Sequence, residues 1–535
     1  MRFDRSSGIL LHPTSFPGSH GIGDLGEAAY RFIDFLVAAK QSLWQVLPLG
    51  PTGYGDSPYA SFSTFAGNPL LISLDKLVEA GDLDPAELAD LPDFPIDQVD
   101  YGWVIYWKVP LLEKAAHNFL QNASVERKAG FERFCAEQGG WLNDFALFMA
   151  VKEHFDRKAQ AEERFGAMWN NYWDKNIALR QPKALKRWRE QEFEKIEIKK
   201  VLQYYFFQQW AALRQYANDH GVKIIGDIPI FVAPDSVDVW ANSDLFLLDE
   251  NGQPTVVAGV PPDYFSETGQ LWGNPLYDWE KMRQSNFGWW IDRIRATLNL
   301  VDIIRIDHFR GFEAYWEIPA GEETAIKGKW VKAPGVALFE AVELALGQLP
   351  ILAEDLGVIT PEVVALREQF NFPGMKILQF AFDSKEAGGL NATNPFLPHN
   401  HTQNAVVYTG THDNDTTKSW YRERTPEEQD LIRRYLARPD DDIVWDFIRM
   451  AMASVAGFAI IPMQDVLNLD NDARMNTPST LGGNWAWRYR PEALNDWVST
   501  RLKELVNLYA RDPALWEEQR QKAAAAALQE QEAAG

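Results

Sequence analysis

The sequence predicts an α/β protein whose core is a (β/α)8 TIM barrel. Its main indication is a set of short apolar runs without polar alternation, which are typical of parallel strands buried on both faces. Eight such runs cover residues 8–11, 43–47, 222–225, 301–306, 350–353, 375–380, 405–408 and 458–462. Helical patterns lie between several of the runs, at residues 26–40, 361–370 and 426–437. Eight strands that alternate with helices favour a (β/α)8 barrel.

The uneven spacing of the runs locates two insertions. About 175 residues separate the second run from the third, far more than an ordinary connection. We therefore expect residues 1–73 to hold the first two strands, residues 74–218 to form a mostly helical inserted subdomain, and residues 219–510 to complete the barrel. Turn-forming residues dominate 231–299, which predicts a long loop insertion after the third strand. Residues 511–535 predict a helical or disordered tail.

Charge and composition exclude several classes of protein. The chain of 535 residues has 52 Lys and Arg against 75 Asp and Glu, a net charge of −23, so its field repels nucleic acid. Its one cysteine, Cys135, forms no internal disulfide, and we expect a reducing cytoplasm as its location. There is neither a signal-peptide core nor an apolar run near the length of about 18 residues that a spanning helix requires, so no membrane partner is expected. Gly-rich phosphate-binding motifs are also absent from the sequence.

Aromatic residues are frequent and stand in unusual surroundings. Trp, Tyr and Phe number 21, 17 and 31, or 13% of the chain, and many occur among polar, Gly and Pro residues, as in YFSETGQLWGNPLYDW. Any one of them is more often a core residue than a ligand platform. Together they indicate a sugar-binding cleft, because a pyranose ring has apolar C–H faces and a hydroxyl rim. Aromatic rings flanked by carboxylates and amides match both parts.

Acidic residues follow four of the predicted strands. They are Asp227, Asp307, Glu354 and Asp413, in KIIGDIPIF, DIIRIDHFRGF, PILAEDLGV and VVYTGTHDND. One such acid is as often a helix cap or an ion-pair partner as a catalytic group. Four acids at the carboxyl ends of barrel strands, however, are expected to converge on one pocket.

Cleavage of a glycosidic bond accounts for two of these acids. The reaction needs a carboxylate that attacks the anomeric carbon and a carboxylic acid that protonates the departing oxygen. We predict Asp307 as the first and Glu354 as the second. Arg305 lies on the same strand face as Asp307 and is expected to keep it ionised, unless Arg305 serves only a structural ion pair. Glu354 follows an apolar run and is expected to retain its proton.

Three further residues complete the predicted sugar site. Asp413 is placed to hold sugar hydroxyls as the ring flattens toward an oxocarbenium ion. His308 and His412 are placed to hydrogen-bond hydroxyls of the same sugar, although each also suits a core position. Residues 412–415 lack the glycine and distal glutamate of an EF-hand loop, and no GxSxG elbow is present. We therefore expect no metal, no cofactor and no serine nucleophile.

Longer motifs carry a family resemblance. They are SPYASFSTFAGNP, GDIPIFVAPDSVDVWAN, GVPPDYFSETGQLWGNPLYDW, RIDHFRGFEAYWEIPA, AEDLGVITPEV, GMKILQFAFD, GTHDNDT and RMNTPSTLGGNWAWR. From residue 8 to about residue 490 the chain resembles the 4-alpha-glucanotransferases, also called amylomaltases or disproportionating enzymes, of glycoside hydrolase family 77. The resemblance implies retaining transfer of an α-1,4-glucan segment from a donor maltodextrin to the 4-hydroxyl of glucose or another glucan. It also implies a barrel without a C-terminal β-sandwich domain.

The resemblance further implies roles for individual residues. It makes Asp307 the nucleophile, Glu354 the acid and then the base, and Asp413 the stabiliser of the transition state. The other implied positions bind substrate: Asp227, Arg305, His308 and His412 around the reacting sugar, Tyr59 stacking on the donor sugar, Gln270 and Trp272 on a loop covering the acceptor side, Phe380 as an acceptor-side platform, and Tyr54 in a second glucan-binding groove. No obligate protein partner is indicated.

Two alternatives share these residues. An α-1,4-glucan hydrolase has the same carboxylates, and a catalytically inactive glucan-binding barrel would keep the aromatic rings. A covering loop at residues 261–277, with Gly269 and Gly273 as hinges, favours transfer because it would exclude water from the intermediate. A phosphate-binding barrel enzyme is a more distant alternative.

Overall fold

The computed structural model describes residues 3–262, 266–385, 389–480 and 482–534, apart from the side chains of Tyr54, Ala527, Leu528 and residues 530–534. Its strands are β1 (Ser6–Leu10), β2 (Leu43–Gln45), β3 (Lys223–Pro229), β4 (Val256–Val260), β5 (Gln270–Pro275), β6 (Ile303–Asp307), β7 (Ala314–Pro319), β8 (Lys329–Lys332), β9 (Ile351–Ala353), β10 (Gly374–Ile377), β11 (Ala405–Tyr408) and β12 (Phe458–Pro462). Its α-helices are α1 (Glu27–Ala38), α2 (Leu74–Glu79), α3 (Tyr101–Asn122), α4 (Val125–Glu137), α5 (Gly139–Ala161), α6 (Lys175–Ala178), α7 (Pro182–Gln191), α8 (Phe193–Asp219), α9 (Val237–Ala241), α10 (Trp279–Gln284), α11 (Gly288–Leu300), α12 (Gly335–Leu346), α13 (Pro361–Gln369), α14 (Thr417–Arg422), α15 (Pro426–Leu436), α16 (Ile443–Ala453), α17 (Met463–Val466), α18 (Asp496–Leu508) and α19 (Pro513–Ala534).

Eight parallel strands of the described chain form the barrel. They hydrogen-bond in the order β10–β11–β12–β1–β2–β3–β6–β9. Between β9 and β10, the two ends of this sheet, the Ala353 N–H donates to the Pro373 carbonyl oxygen at 2.9 Å, so the barrel is nearly closed. The predicted barrel is confirmed, and each predicted apolar run overlaps one strand. The agreement has a physical reason, since strands covered on both faces favour apolar side chains.

The sixth predicted run is too long at its carboxyl end. β10 ends at Ile377, and Gln379–Ala381 is a 3-10 helix, so Phe380 lies outside the strand. The buried Gln379 side-chain amide donates to the Asp415 carbonyl oxygen, in the loop after β11, at 2.9 Å. This bond ties the segment after β10 to the loop after β11, and hydrophobicity alone does not reveal it.

Helices α2 to α8 lie between β2 and β3, in the stretch for which a helical inserted subdomain is predicted. Asp100 and Ser124 begin α3 and α4 by accepting backbone N–H groups of the first helical turn. The last helix, α8, returns to the barrel side, where Trp210 Nε1 donates to the Leu300 carbonyl oxygen at 2.8 Å. The insertion is thus anchored to the barrel through α8.

A second, antiparallel sheet of the described residues has the order β5–β4–β7–β8. β4 and β5 belong to the predicted loop insertion, 231–299, whereas β7 and β8 follow barrel strand β6. The insertion therefore holds more regular structure than its turn-forming residues indicate. Because β4 pairs with β7 through residues as distant in sequence as Val257 and Ile318, a local pattern does not predict this sheet.

The chain after β12 is helical or irregular. Within the described residues no strand follows Pro462, so no β-sandwich domain follows the barrel there. Helix α18 packs against α1 and α16. None of the described helices combines the length and apolar character needed to cross a membrane.

Candidate active site

Four acidic residues lie where barrel strands reach their carboxyl ends. Asp227 is in β3, Asp307 is the last residue of β6, Glu354 directly follows β9, and Asp413 lies in the loop after β11. Because these strands are parallel, the four side chains share one end of the barrel.

Arg305 is the centre of the acidic cluster. Its guanidinium contacts Asp227 through Nη1, and its Nη2 lies 3.2 Å from Asp307 Oδ1 and 3.5 Å from Glu354 Oε2. Arg305 and Asp307 are two positions apart on one strand, so their side chains emerge on the same face. A planar guanidinium with five N–H donors suits contact with three carboxylates. Arg305, which is 3% exposed, thus holds together groups that would otherwise repel one another.

Backbone hydrogen bonds orient Glu354. The His308 N–H donates to Glu354 Oε2 at 2.5 Å, and the Glu354 N–H donates to the Ile306 carbonyl oxygen at 3.0 Å. His308 has a φ of 55°, in the left-handed region, which costs a residue with a side chain about 1 kcal/mol or more. This turn directly after β6 aims the N–H at the carboxylate. Burial lowers the pKa of His308 to about 4, so the ring is neutral at pH 7.

An aromatic stack borders the cluster. The Tyr59 hydroxyl donates to Asp227 Oδ2 at 2.6 Å. The Tyr59 ring lies parallel to the His412 ring, with 5.2 Å between centroids and 12° between planes, and 5.8 Å from the Trp485 ring. Burial, followed by the charge of Asp227, raises the pKa of Tyr59, so the phenol remains a proton donor.

Asp413 is held by a later loop of the chain. The Asn476 side-chain amide donates to Asp413 Oδ1 at 2.6 Å, and Arg474 Nη2 donates to the Asp413 carbonyl oxygen at 2.6 Å. His412 Nε2 lies 3.3 Å from Asp413 Oδ1. Sequence analysis did not single out Arg474, Asn476 or Trp485, although all three lie in the string RMNTPSTLGGNWAWR.

His12 is another residue that sequence analysis did not assign. It follows β1 at the same end of the barrel and is 4% exposed. Burial, and then the nearby His412, lowers the pKa of His12 to about 3, so the ring is neutral. Its Nδ1 is buried without a hydrogen-bond partner in the described part of the chain. The one sequence signal for His12 is its place after an apolar strand.

The pKa of Asp307 differs from the sequence-based expectation. Burial raises the pKa of Asp307 well above its ordinary value, and the charge of Glu354 adds to this effect, whereas Arg305 opposes it. Arg305 therefore offsets only part of the rise in the pKa of Asp307.

The residues expected on the acceptor side lie on two different elements. Gln270 and Trp272 are on β5, where Trp272 Nε1 donates to Gln270 Oε1 at 3.0 Å. The Trp272 ring stands edge-on to the His308 ring, 4.8 Å between centroids, and is 39% exposed. Phe380, on the 3-10 helix after β10, packs edge-on against Phe396 at 5.4 Å.

Two expectations fall partly outside the described residues. The Tyr54 side chain, assigned by resemblance to a second groove, is one of them. The predicted covering loop, 261–277, includes residues 263–265, which also lie outside. In its described part Gly269 and Gly273 have φ values of 68° and 78°, which glycine adopts readily.

Some of the side chains described above border a cleft of about 400 Å³. Its lining includes Tyr59, Trp272, Asp307, His308, His412, Asp413, Asn476 and Trp485. Carboxylates and amides beside aromatic rings match the hydroxyl rim and the C–H faces of a sugar ring. No group of three His, Cys, Asp or Glu side chains among the described residues is arranged to hold a metal ion.

Fold and site together define a class of protein. A (β/α)8 barrel that gathers paired carboxylates, a buried arginine and aromatic rings at the carboxyl ends of its strands has the parts of a carbohydrate-active barrel enzyme.

Comparison with known proteins identifies the family. Residues 11–495 match the 4-alpha-glucanotransferase family. The chain is 53% identical to the 4-alpha-glucanotransferase of Synechocystis sp. over 511 residues, 95% of this chain and 98% of the relative. It is 50% identical to that of Thermus thermophilus over 519 residues, 96% of this chain and 100% of the relative. The amylomaltase of Streptococcus agalactiae, solved in complex with acarbose, matches with a TM-score of 0.90 and 42% identity over 95% of this chain and 99% of that chain. The chain belongs to the 4-alpha-glucanotransferase family.

Proposed function

We propose that the protein is a 4-alpha-glucanotransferase that moves an α-1,4-glucan segment from a donor maltodextrin to the 4-hydroxyl of glucose or another glucan. The observation that carries the proposal is the contact of one Arg305 nitrogen with both Asp307 and Glu354, at 3.2 and 3.5 Å. Both carboxyl groups thus lie close together. Retaining enzymes keep their two carboxyl groups close, because one attacks the sugar directly, whereas inverting enzymes leave room for a water.

The reaction proceeds through two displacements. Asp307 attacks the anomeric carbon while Glu354 protonates the departing glycosidic oxygen, which gives a glycosyl ester of Asp307 and releases the shortened glucan. Glu354, now ionised, takes the proton from the 4-hydroxyl of an acceptor. That oxygen attacks the anomeric carbon from the vacated side, displaces Asp307 and restores an α-1,4 bond.

The first displacement requires a proton on Glu354 and a carboxylate at Asp307. The positive charge that develops at the anomeric carbon stabilises Asp307 as a carboxylate. The proton then resides on Glu354, next to the departing oxygen. Arg305 stays charged beside both groups, and its contact at 3.2 Å limits the movement of the attacking carboxylate.

Neighbouring side chains hold the donor sugar. Tyr59, fixed by Asp227 and by its stack on His412, offers an aromatic face to the ring. Asp413, oriented by the Asn476 amide, accepts hydroxyl hydrogens of the same sugar and strengthens these bonds as the ring flattens. The neutral His308 offers a buried Nε2 that has no partner in the described residues.

Transfer rather than hydrolysis requires that an acceptor glucan reach the intermediate before water does. Trp272 and Gln270, on β5 beside His308, form the acceptor platform, with Phe380 as a second one. Residues 266–277, which include β5, are the part of the chain that would exclude water from this side. A reducing cytoplasm suits a chain with a single cysteine as the place of this reaction.

Incubation with maltotriose alone tests the proposal. The product ladder and the total reducing ends are followed together. Glucose, maltopentaose and longer chains at constant reducing ends are expected, because one α-1,4 bond replaces another. Rising reducing ends without longer chains would mean an α-1,4-glucan hydrolase. No change with maltotriose and with longer donors would mean an inactive glucan-binding barrel.

A further inference from the structure

A second aromatic groove lies apart from the catalytic cleft. Its volume is about 700 Å³, within the range of small-molecule sites. The groove is bordered by the start of α16, the first turns of α18 and the loop 466–473. Its most exposed aromatic side chain is Trp497, which is 62% exposed. What distinguishes Trp497 from other exposed rings is its place in the lining of this groove.

Several contacts hold Trp497 in a defined position. Asn495 caps α18 and accepts the Trp497 backbone N–H at 3.1 Å. The Arg501 guanidinium lies 5.2 Å from the Trp497 ring and 4.2 Å from the Trp445 ring, and the two indoles meet edge to face at 5.9 Å. A ring that is already ordered loses little conformational entropy when a ligand stacks on it.

The rim of the groove is polar and carries charges of both signs. Asp442 pairs with Arg501, and Asp470 pairs with Lys418 at 2.8 Å. Such ion pairs offer acceptors and donors to hydroxyl groups. An aromatic face with this rim matches a neutral polyhydroxylated ligand, and the net charge of −23 disfavours an anionic one.

One loop connects the groove with the catalytic cleft. Asp470 borders the groove, while Arg474 and Asn476, further along the same loop, bond Asp413. Asn471, next to Asp470, donates to Asp415 Oδ1 at 2.8 Å. This segment therefore lines the groove through Asp470 and the catalytic cleft through Asn476.

We propose that this groove is an accessory binding site for α-glucan chains, with Trp497 as the stacking platform. The inference rests on the proposed function. When one long glucan occupies both the cleft and the groove, its second contact is intramolecular. The groove therefore raises the apparent affinity for long glucans only. Short donors such as maltotriose occupy the cleft alone.

Binding without turnover tests the site. The parent protein carries Asp307→Asn, and its retardation in native gels with increasing amylopectin measures the apparent affinity. Three further proteins add Trp497→Ala, Trp497→Phe or Trp103→Ala to this parent. Trp103, which is 56% exposed and lies on α3, is the matched control. We expect Trp497→Ala to weaken the apparent affinity about fivefold to tenfold, the loss of one aromatic contact. Trp497→Phe and Trp103→Ala should bind like the parent.

Kinetics in the active background provide the second measurement. Trp497→Ala should raise KM for amylose about fivefold, leave kcat unchanged, and leave both constants for maltotriose unchanged. The accessory site would be overturned if the parent and Trp497→Ala were retarded equally in the gels and had equal KM values for amylose. In that case the wild type would still disproportionate maltotriose. Failure of the proposed function is distinct, because the wild type would then leave maltotriose unchanged. Thermal unfolding checks each variant, and Trp497→Leu replaces Trp497→Ala if the latter unfolds.

Discussion

Arg305 Nη2 lies 3.2 Å from Asp307 Oδ1, although only one residue separates the two along β6. The period of two in a strand places both side chains on one face, and burial of Arg305 at the barrel end keeps this contact away from water. The same nitrogen lies 3.5 Å from Glu354 Oε2. One guanidinium therefore sets the relative position of the two carboxyl groups that we assign to the chemistry.

Arg305→Lys should lower kcat/KM about 100-fold or more with little change in the protein's secondary structure. A lysine keeps the positive charge, but its single ammonium does not contact Asp227, Asp307 and Glu354 in a fixed plane. Steady-state disproportionation of maltotriose measures the loss, and circular dichroism checks the fold. Arg31→Lys, at an exposed arginine of α1, is the control and should retain wild-type kinetics. A tenfold or smaller loss in Arg305→Lys would mean that charge alone suffices.

Tyr59→Phe should lower kcat/KM about tenfold, the value of one hydrogen bond to a charged group. The change removes the bond to Asp227 at 2.6 Å and keeps the ring that stacks on His412. Tyr59→Ala removes the platform as well, and we expect a loss of about 100-fold. Equal losses in the two variants would show that the hydroxyl, and not the ring face, carries the role of Tyr59.

Trp272→Ala should raise the fraction of turnovers that end in hydrolysis, because it removes the acceptor-side ring beside His308. New reducing ends are compared with chain-length redistribution in the same reaction. Trp330→Ala is a matched control, since Trp330 is 40% exposed against 39% for Trp272 and lies on β8 of the same antiparallel sheet. We expect the control to keep the wild-type ratio. An unchanged ratio in Trp272→Ala would remove this residue from the acceptor platform.

His401 should make the stability of the protein depend on pH. Burial lowers the pKa of His401 from 6.5 to about 4, while its Nδ1 bonds the Ser454 hydroxyl oxygen at 2.7 Å and its Nε2 bonds the Phe396 carbonyl oxygen at 2.8 Å. Because the pKa is lower in the folded state, the unfolded chain binds the extra proton, and stability is lost as pH falls from 6.5 toward 4.

Denaturant unfolding of His401→Gln and of the wild type at several pH values measures this effect. The stability advantage of the wild type over His401→Gln should shrink by about 1 kcal/mol between pH 7 and pH 5.5. Thr402→Ala, at the exposed neighbouring position, is the control and should differ from the wild type by a constant amount. A constant difference for His401→Gln as well would contradict the lowered pKa.

The sequence predicts the barrel well because its strands are buried on both faces. Each apolar run marks a strand, and the acids that directly follow the runs, such as Asp307 and Glu354, mark the carboxyl end of the barrel. The antiparallel sheet was missed because β4 and β7 pair across a long interval of sequence. Phe380 was placed in a strand because its apolar run continues past Ile377, whereas the Gln379 bond to Asp415 joins segments distant in sequence.

Within the site, the missed residues act through contacts that are remote in sequence. Asn476 is 63 positions from Asp413, and Arg474 is 61 positions away from the same residue. The rise in the pKa of Asp307 was not expected, because the spacing of Arg305 indicates attraction but says nothing of burial or of the distance to Glu354. Local patterns locate side chains along strands, whereas three-dimensional packing decides their protonation.

The central claim is that Asp307 is the nucleophile and Glu354 the acid. Trapping the glycosyl ester is the most direct test of this claim. Glu354→Gln is incubated with α-maltotriosyl fluoride. Fluoride departs without an acid, so the glycosyl ester can form in this variant. The ester then accumulates, because its hydrolysis or transfer lacks the general base. Mass spectrometry of the intact protein and of its peptides should find one maltotriosyl group on Asp307. No adduct on Glu354→Gln, or an adduct on another residue with Asp307 unmodified, would contradict the account.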